Sequence, residues 1–226
     1  MPRPSDPKAR GRLLQAAERI FIEHGLDRTK VEDITRAAGL SKGAFYLHFK
    51  TKDDAFKEIL ASALAELGQL LAGIEASRGA WRSDAHAEVV AQALDEDLKI
   101  FECIWKHRPI MRLVLEGGGS SDYHHLIELF AEGAQQTTER LVNHGIASGY
   151  YRQDLDPKQA AAFVAGGYDR LARRLVRERK KPSLERWLIG AQALCVRALG
   201  TPEFINASVN VHAQRLSETG RRRASA

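Results

Sequence analysis

Apolar residues recur three and four positions apart along almost the whole of this chain, and no convincing stretch alternates apolar with polar residues over the length of a strand. Leu13, Leu14, Ala17, Ile20 and Phe21 make one such stripe. Phe56, Ile59, Leu60, Leu64, Leu67 and Leu71 make a second, and Val89, Ala93, Leu94, Leu98, Phe101 and Trp105 a third. On a helix these spacings fall on one face; on a strand they would scatter over both. The chain must therefore bury its apolar surface helix against helix, and the fold class it predicts is all-α.

Breakers and caps divide this pattern into elements. A first helix is expected from Pro7, after Asp6, to His24. Thr29 and Glu32 have capping-box spacing, so a second should begin near Lys30. Gly39 can take the positive φ that ends a helix, with Leu40 turning back to the core, and Ser41 can cap a third. Thr51 with Asp54 repeats the capping-box spacing at the head of a fourth helix. Asp84 to His107 reads as a long helix that Pro109 breaks. Ile110 to Leu115 is then a short apolar segment before a flexible loop, Gly117 to Ser121. Asp122 can cap a helix to about His144. Asp156-Pro157 is a cap and first-turn proline opening a helix to Arg179, and Leu184–Leu199 follows after Lys181-Pro182-Ser183. Thr201-Pro202 starts a last short helix, and the tail SETGRRRASA from Ser217 is expected to be disordered. The implied organisation is a three-helix domain over residues 1–52, a larger helical domain over 53–216 and a tail over 217–226.

Several function classes lack support. No apolar run looks long enough to span a bilayer, and residues 1–12 lack the apolar core of a signal peptide, so a cytoplasmic protein without membrane contact is expected. Cys103 and Cys195 give neither a disulfide framework nor metal-ligand spacing and suit small core residues. His124 and His125 with Glu128 share a helix face but lack a further ligand, so no metal or cofactor is expected. No nucleophile–base pattern, phosphate loop or HExxH motif supports catalysis. The net charge of +5 suits a polyanion partner and solubility equally. Its distribution says more: Lys8, Arg10, Arg12, Arg28, Lys30, Arg36, Lys42, Lys50 and Lys52 all lie in the first quarter. The cluster Arg170 to Lys181 sits at a predicted helix C-terminus, where cations complement the dipole. A third, Arg221-Arg222-Arg223, lies in the tail.

Residues 29–52, TKVEDITRAAGLSKGAFYLHFKTK, read as two short helices around a Gly-Leu-Ser turn with an aromatic and basic exit. That is the layout of a helix-turn-helix, whose second helix enters the major groove of DNA N-terminus first. Lys42 in its first turn can reach guanine O6 or N7, or a phosphate. Gly43 and Ala44 let the backbone approach the bases, and Ala44 can touch a thymine methyl. Tyr46 and His48 can donate to phosphate, while the helix starts at Thr29 and at Thr51-Lys52 can present hydroxyl and backbone donors to it. At least two of Phe45, Leu47 and Phe49 are expected to face the core.

From about Arg10 to Leu60 the chain resembles the TetR/AcrR (tetracycline-repressor-like) family of bacterial transcription regulators. The resemblance is carried by LLQAAERIFIEHG (Leu13–Gly25), Asp33-Ile34, Ala38-Gly39-Leu40-Ser41, Gly43-Ala44-Phe45-Tyr46 and His48-Phe49-Lys50 followed by Lys52. It implies an N-terminal three-helix DNA-binding domain plus a larger helical ligand-binding and dimerisation domain. It carries DNA contact over to Thr29, Lys30, Ser41, Lys42, Gly43, Ala44, Tyr46, His48, Thr51 and Lys52. It also implies a homodimeric regulator on a palindromic double-stranded operator, most readily a repressor released by a small-molecule effector. The alternative is a DNA-binding protein of the same fold that needs no effector, of the nucleoid or division-control kind.

Half-sites about one helical turn (~34–36 Å) apart demand a two-fold dimer. The expected surface is the last helical pair, with Ala162, Gly166, Leu188 and Ala191 upon it; the same small residues would also serve a crossing within one chain. Between the DNA-binding domain and that pair the resemblance places an effector pocket. Its candidate lining is Phe101, Trp105, Arg108, Met111, Arg112, Tyr123, Phe130, Phe163 and Tyr168. Each aromatic suits a plain core as well, and Arg108 and Arg112 can pair with an acidic ligand or with Glu102 and Glu116.

Overall fold

A computed structural model describes residues 8–77, 85–117 and 121–224. These form nine helices and no strand: α1 (Ala9–His24), α2 (Val31–Ala38), α3 (Lys42–Tyr46), α4 (Lys52–Ser77), α5 (His86–Gly117), α6 (Ser121–Ala147), α7 (Pro157–Arg177), α8 (Leu184–Leu199) and α9 (Pro202–Ala224). The chain folds as two compact units. One comprises the described residues of Met1–Ala65 and His107–Glu128, the other those of Glu66–Lys106 and Leu129–Ala226.

The core of the first unit joins the helix-turn-helix to the start of α4. Leu13, Ala17 and Phe21 of α1, Ile34 of α2, Phe45 of α3, Phe49, and Phe56 and Leu60 of α4 are buried in one cluster that also takes in Ile110, Val114 and Tyr123. Phe21 meets Phe56 edge-on at 5.3 Å, and Phe56 meets Tyr123 at 4.9 Å, the arrangement that ring quadrupoles favour. This unit therefore extends beyond residue 52, since α2 and α3 are too short to bury their apolar faces without α4 and the segment around Tyr123.

In the second unit, Val89 and Val90 of α5, Tyr150, Val196 of α8 and Phe204 of α9 form one cluster. Val142, Ala160, Ala161 and Leu199 form another. The turn between α6 and α7 is tied to the turn after α8: Arg152 N–H donates to the Leu199 carbonyl and Thr201 N–H to the Tyr150 carbonyl, both at 2.9 Å. Asp156 caps α7 as expected, accepting from Gln159 N–H at 2.8 Å with Pro157 in the first turn.

Four expectations change. Pro109 lies inside the continuous α5, so the anticipated break is absent. A proline forfeits one backbone bond, and α5 retains its course because Ile110 and Val114 beyond it are anchored in the core. Gly117 ends α5 and Ser121 begins α6, so of the expected loop only residues 118–120 lie outside the described residues, as do Asp6 and Pro7. The last helix is long, and α9 runs on through Ser217 to Ala224 rather than yielding to a disordered tail. Arg215 anchors it to Asp95 at 2.6 Å, and the Thr219 hydroxyl reaches the Glu185 carboxylate. Finally, α4 is long and apolar enough to cross a membrane by length and composition alone. Its Ala55, Phe56, Ile59, Leu60, Ala63 and Leu67 are buried in the fold.

Candidate nucleic-acid interface

Local chemistry builds the turn between α2 and α3. Gly39 sits at φ 64°, ψ 38°, the left-handed conformation that glycine adopts without a Cβ penalty. Leu40 N–H then returns to the Thr35 carbonyl at 2.9 Å, and Leu40 packs against the core. The Arg12 guanidinium, reaching from α1, donates to the Ala38 carbonyl at 2.6 Å and the Gly39 carbonyl at 3.3 Å. It satisfies acceptors at the end of α2 with a cation, as the helix dipole favours. Ser41 caps α3 by accepting from Ala44 N–H at 3.2 Å.

Phe45 and Phe49 are buried, as expected for two of the three apolar residues. They fix which side of α3 faces out: Lys42, Gly43, Tyr46 (56% exposed) and Leu47 (76% exposed) are presented to solvent, with Ala44 and His48 half-buried. Leu47 was not anticipated as part of this surface. Nothing in its sequence context separates it from the buried Phe45 and Phe49; only the roll of the short helix does.

The charges around this face are organised. Lys42 pairs with Glu32 of α2 across the turn. The Lys42 hydrogen bond is the main reason the Glu32 carboxyl titrates below its ordinary value, and the same bond raises Lys42. Lys30 and Lys50 are exposed. Thr51 and Asp54 make a reciprocal capping box at the start of α4: Thr51 N–H donates to Asp54 Oδ2 at 2.9 Å, and Asp54 N–H to Thr51 Oγ1 at 3.1 Å.

Two candidate contacts are placed otherwise. Thr29 is buried (1% exposed), and its hydroxyl donates to the Gly25 carbonyl at 2.7 Å, with the Ile20 carbonyl at 3.4 Å. The N-cap of α2 is Lys30 rather than Thr29, and Lys30 N–H donates to Asp33 Oδ2 at 3.3 Å. The Lys52 ammonium, expected at phosphate, donates to the carbonyls of Leu26, Asp27 and Thr29.

The candidate effector residues divide between the two units. Met111 and Tyr123 are buried in the first, with Arg108 half-buried and Arg112 paired with Glu116 at 2.6 Å. Tyr123 fills core and donates to Asp53 Oδ1 at 2.7 Å. In the second unit Phe101 is buried and stands edge-on to Tyr168 at 6.1 Å. The Tyr168 hydroxyl donates to Asp97 Oδ2 at 2.6 Å; burial, reinforced by the Asp97 charge, pushes its titration well above the ordinary tyrosine value. Trp105 and Phe130 are half-buried, while Phe163 is 73% exposed on α7 and so lines no interior.

Of the expected dimer residues, Leu188 is fully buried within the chain because it lies on the inner face of α8. Ala162 and Gly166 are exposed and Ala191 is half-buried. Phe163 and Leu194 (69% exposed) instead carry the apolar surface of this pair, beside the exposed Gly166, Gly167 and Gly190. A Cβ added at any of these glycines would meet no atom within 4 Å. The basic end of α7 is partly neutralised by Arg173–Asp169 (2.7 Å), Arg174–Glu178 (3.6 Å) and Lys181–Glu102 (2.5 Å).

The profile described as "Bacterial regulatory proteins, tetR family" matches residues 13–59, which span α1 to the first turns of α4. KstR2 of Mycolicibacterium smegmatis, an HTH-type transcriptional repressor, is 42% identical over 172 residues, covering 71% of this chain and 77% of that protein. AcrR of Shigella flexneri, an HTH-type transcriptional regulator, is 38% identical over 63 residues; this match spans only 28% of the chain and 29% of AcrR. Among solved structures, SmeT, repressor of the Stenotrophomonas maltophilia multidrug efflux pump SmeDEF, superposes with a TM-score of 0.67 at 23% identity, covering 86% of this chain and 92% of that one, a likeness of fold. The complex of SmeT with triclosan superposes with a TM-score of 0.65 at 25% identity, over 87% of this chain and 93% of that one.

Proposed function

Since the chain belongs to the tetR family of bacterial regulatory proteins and is a DNA-binding transcriptional regulator, we propose that it works as a homodimeric repressor of a palindromic operator, released by a small apolar effector. The observation that carries this reading is the outward face of α3. Lys42, Gly43, Tyr46 and Leu47 stand exposed on a helix whose opposite face is locked in the core by Phe45. Lys42 and Ala44 are assigned to base edges, with Leu47 against a thymine methyl or sugar. Tyr46, His48, Ser41, Lys30, Lys50, Thr51 and the backbone N–H groups at the start of α4 are assigned to phosphate. The Lys42–Glu32 pair is expected to open when Lys42 turns to DNA. A regulator of this kind acts where bacterial DNA lies, in the cytoplasm.

The exposed Phe163 and Leu194, with glycines that let helix axes approach, support α7 and α8 as the surface for a second copy. Repression is supported by the names of KstR2 and SmeT, and an effector by the triclosan complex of SmeT. An operator selected from a random duplex pool by the purified protein tests the reading. Lys42→Ala and Tyr46→Phe are each expected to weaken binding to it, and unchanged affinity in both would remove α3 from the interface. Titrating triclosan into that complex tests release by an apolar phenol.

A further inference from the structure

The connection between α1 and α2, residues 25–30, has no helix of its own to satisfy its carbonyl groups. Gly25 O accepts the Thr29 hydroxyl at 2.7 Å. The carbonyls of Leu26, Asp27 and Thr29 converge on the Lys52 ammonium at 2.7, 3.1 and 3.0 Å. An ammonium has three N–H donors and no more. With three acceptors in place, Lys52 has no donor left for a phosphate oxygen unless it abandons a backbone partner.

Lys52 is itself held. It is the first residue of α4, and the Thr51–Asp54 capping box fixes the backbone there. Six residues before it, α3 ends. α2 begins two residues after the Thr29 carbonyl. The clamp thus refers α2 to the first turn of α4 from one side, while the short connection 47–51 refers α3 to the same turn from the other.

We propose that Lys52 is a positioning residue for DNA reading. Its ammonium sets the placement of α2, and through the Gly39 turn that of α3, by holding the α1–α2 connection against the start of α4; it does not bind phosphate. This rests on the DNA-binding reading of α3. It assigns Lys50 and Lys52, two residues apart and alike in charge, to different work: one exposed toward the polyanion, the other turned inward.

Salt dependence separates the two roles. Losing a phosphate contact lowers the slope of log K against log salt by about 0.9. Losing a clamp weakens binding and leaves the slope alone. The probe is a fluorescein-labelled duplex selected from a random pool by the wild-type protein, followed by anisotropy across a salt series. Lys52→Met, which keeps the aliphatic stem, is expected to bind on the order of tenfold more weakly at every salt concentration, with the wild-type slope. Amide exchange across Val31–Ala38 should be faster in the free variant. Lys52→Arg keeps the charge, but its planar fork cannot aim at three converging carbonyls. It should show the same pattern with a smaller loss, and it carries the comparison if Lys52→Met does not fold.

A slope lower by about 0.9 per subunit would make Lys52 a phosphate contact and overturn the proposal. Unchanged affinity in folded variants would reduce it to a structural residue and overturn it equally. If the wild-type protein selects no duplex, the DNA-reading premise fails with the positioning role, and amide exchange separately shows whether the clamp holds α2.

Discussion

Removing one oxygen atom, from Tyr123, tests how the DNA-reading unit is held together. The ring is fully buried, stands edge-on to Phe56 at 4.9 Å, and its hydroxyl donates to Asp53 Oδ1 at 2.7 Å. Tyr123→Phe keeps the ring and its packing and deletes only the donor. A hydrogen bond to a charged group contributes about 1.5–3 kcal/mol net. Asp53 is half-buried, so water recovers part of the loss, and the lower part of that range, about 1.5–2 kcal/mol, is expected. For a chain of this length each kcal/mol moves the melting temperature by roughly 2–4 °C, giving a fall of about 3–8 °C. Urea and thermal unfolding followed by circular dichroism measure it, and a cycle with Asp53→Asn and the double variant isolates the coupling. If Tyr123→Phe leaves the melting temperature within about 1 °C, or the two changes simply add, the hydroxyl is not a strut and Tyr123 returns to the candidate effector lining.

Glu32→Gln frees Lys42 from its pair and removes a carboxylate from the reading face, so affinity for duplex DNA should rise by a factor of a few. Because Lys42 depresses the Glu32 carboxyl below its ordinary 4.5, the pair's contribution to stability is complete above pH 4.5 and vanishes as pH falls through the lower folded value; the wild type and Glu32→Gln should converge there. Gly145→Ala should destabilise by about 1–3 kcal/mol in urea titration, since the added Cβ would meet the Tyr151 ring carbon Cε2 at 2.5 Å and this outweighs the gain in helix propensity. Burial pushes both Cys103 and Cys195 up to about 11, so iodoacetamide at pH 8 should modify neither thiol in the native protein and both in urea. Phe163→Asp places a charge on the exposed α7 surface and should shift sedimentation equilibrium toward monomer; unchanged association would move the dimer surface elsewhere.

Much of the DNA-reading unit was legible because its signals are local. Gly39, Ser41 and the Thr51–Asp54 box act within a few residues of themselves, and each appears in the structure as its chemistry requires. The same locality explains what the sequence leaves open. Thr29 and Glu32 have the spacing of a capping box, but spacing does not reveal that carbonyls of Ile20 and Gly25 lie within reach of the Thr29 hydroxyl. Lys52 reads as a basic residue among basic residues until its three carbonyls, 23 to 26 positions away in sequence, are seen to converge on it. Pro109 reads as a break until the segment beyond it proves to be anchored in the core.

By itself the sequence determined that the protein is all-α, that a helix-turn-helix occupies residues 29–52 and that α4 follows directly. These depend on periodicity, capping and turn chemistry, whose range is one or two helical turns. The tertiary structure alone decided which cations face outward, which face of α8 hides Leu188 while exposing Leu194, and that Tyr123 is buried beside Phe56. Those outcomes depend on how far each helix rolls about its axis when packed. That roll is set by the fit of side chains distant in sequence, at a density where a single rotation moves a residue from solvent to core.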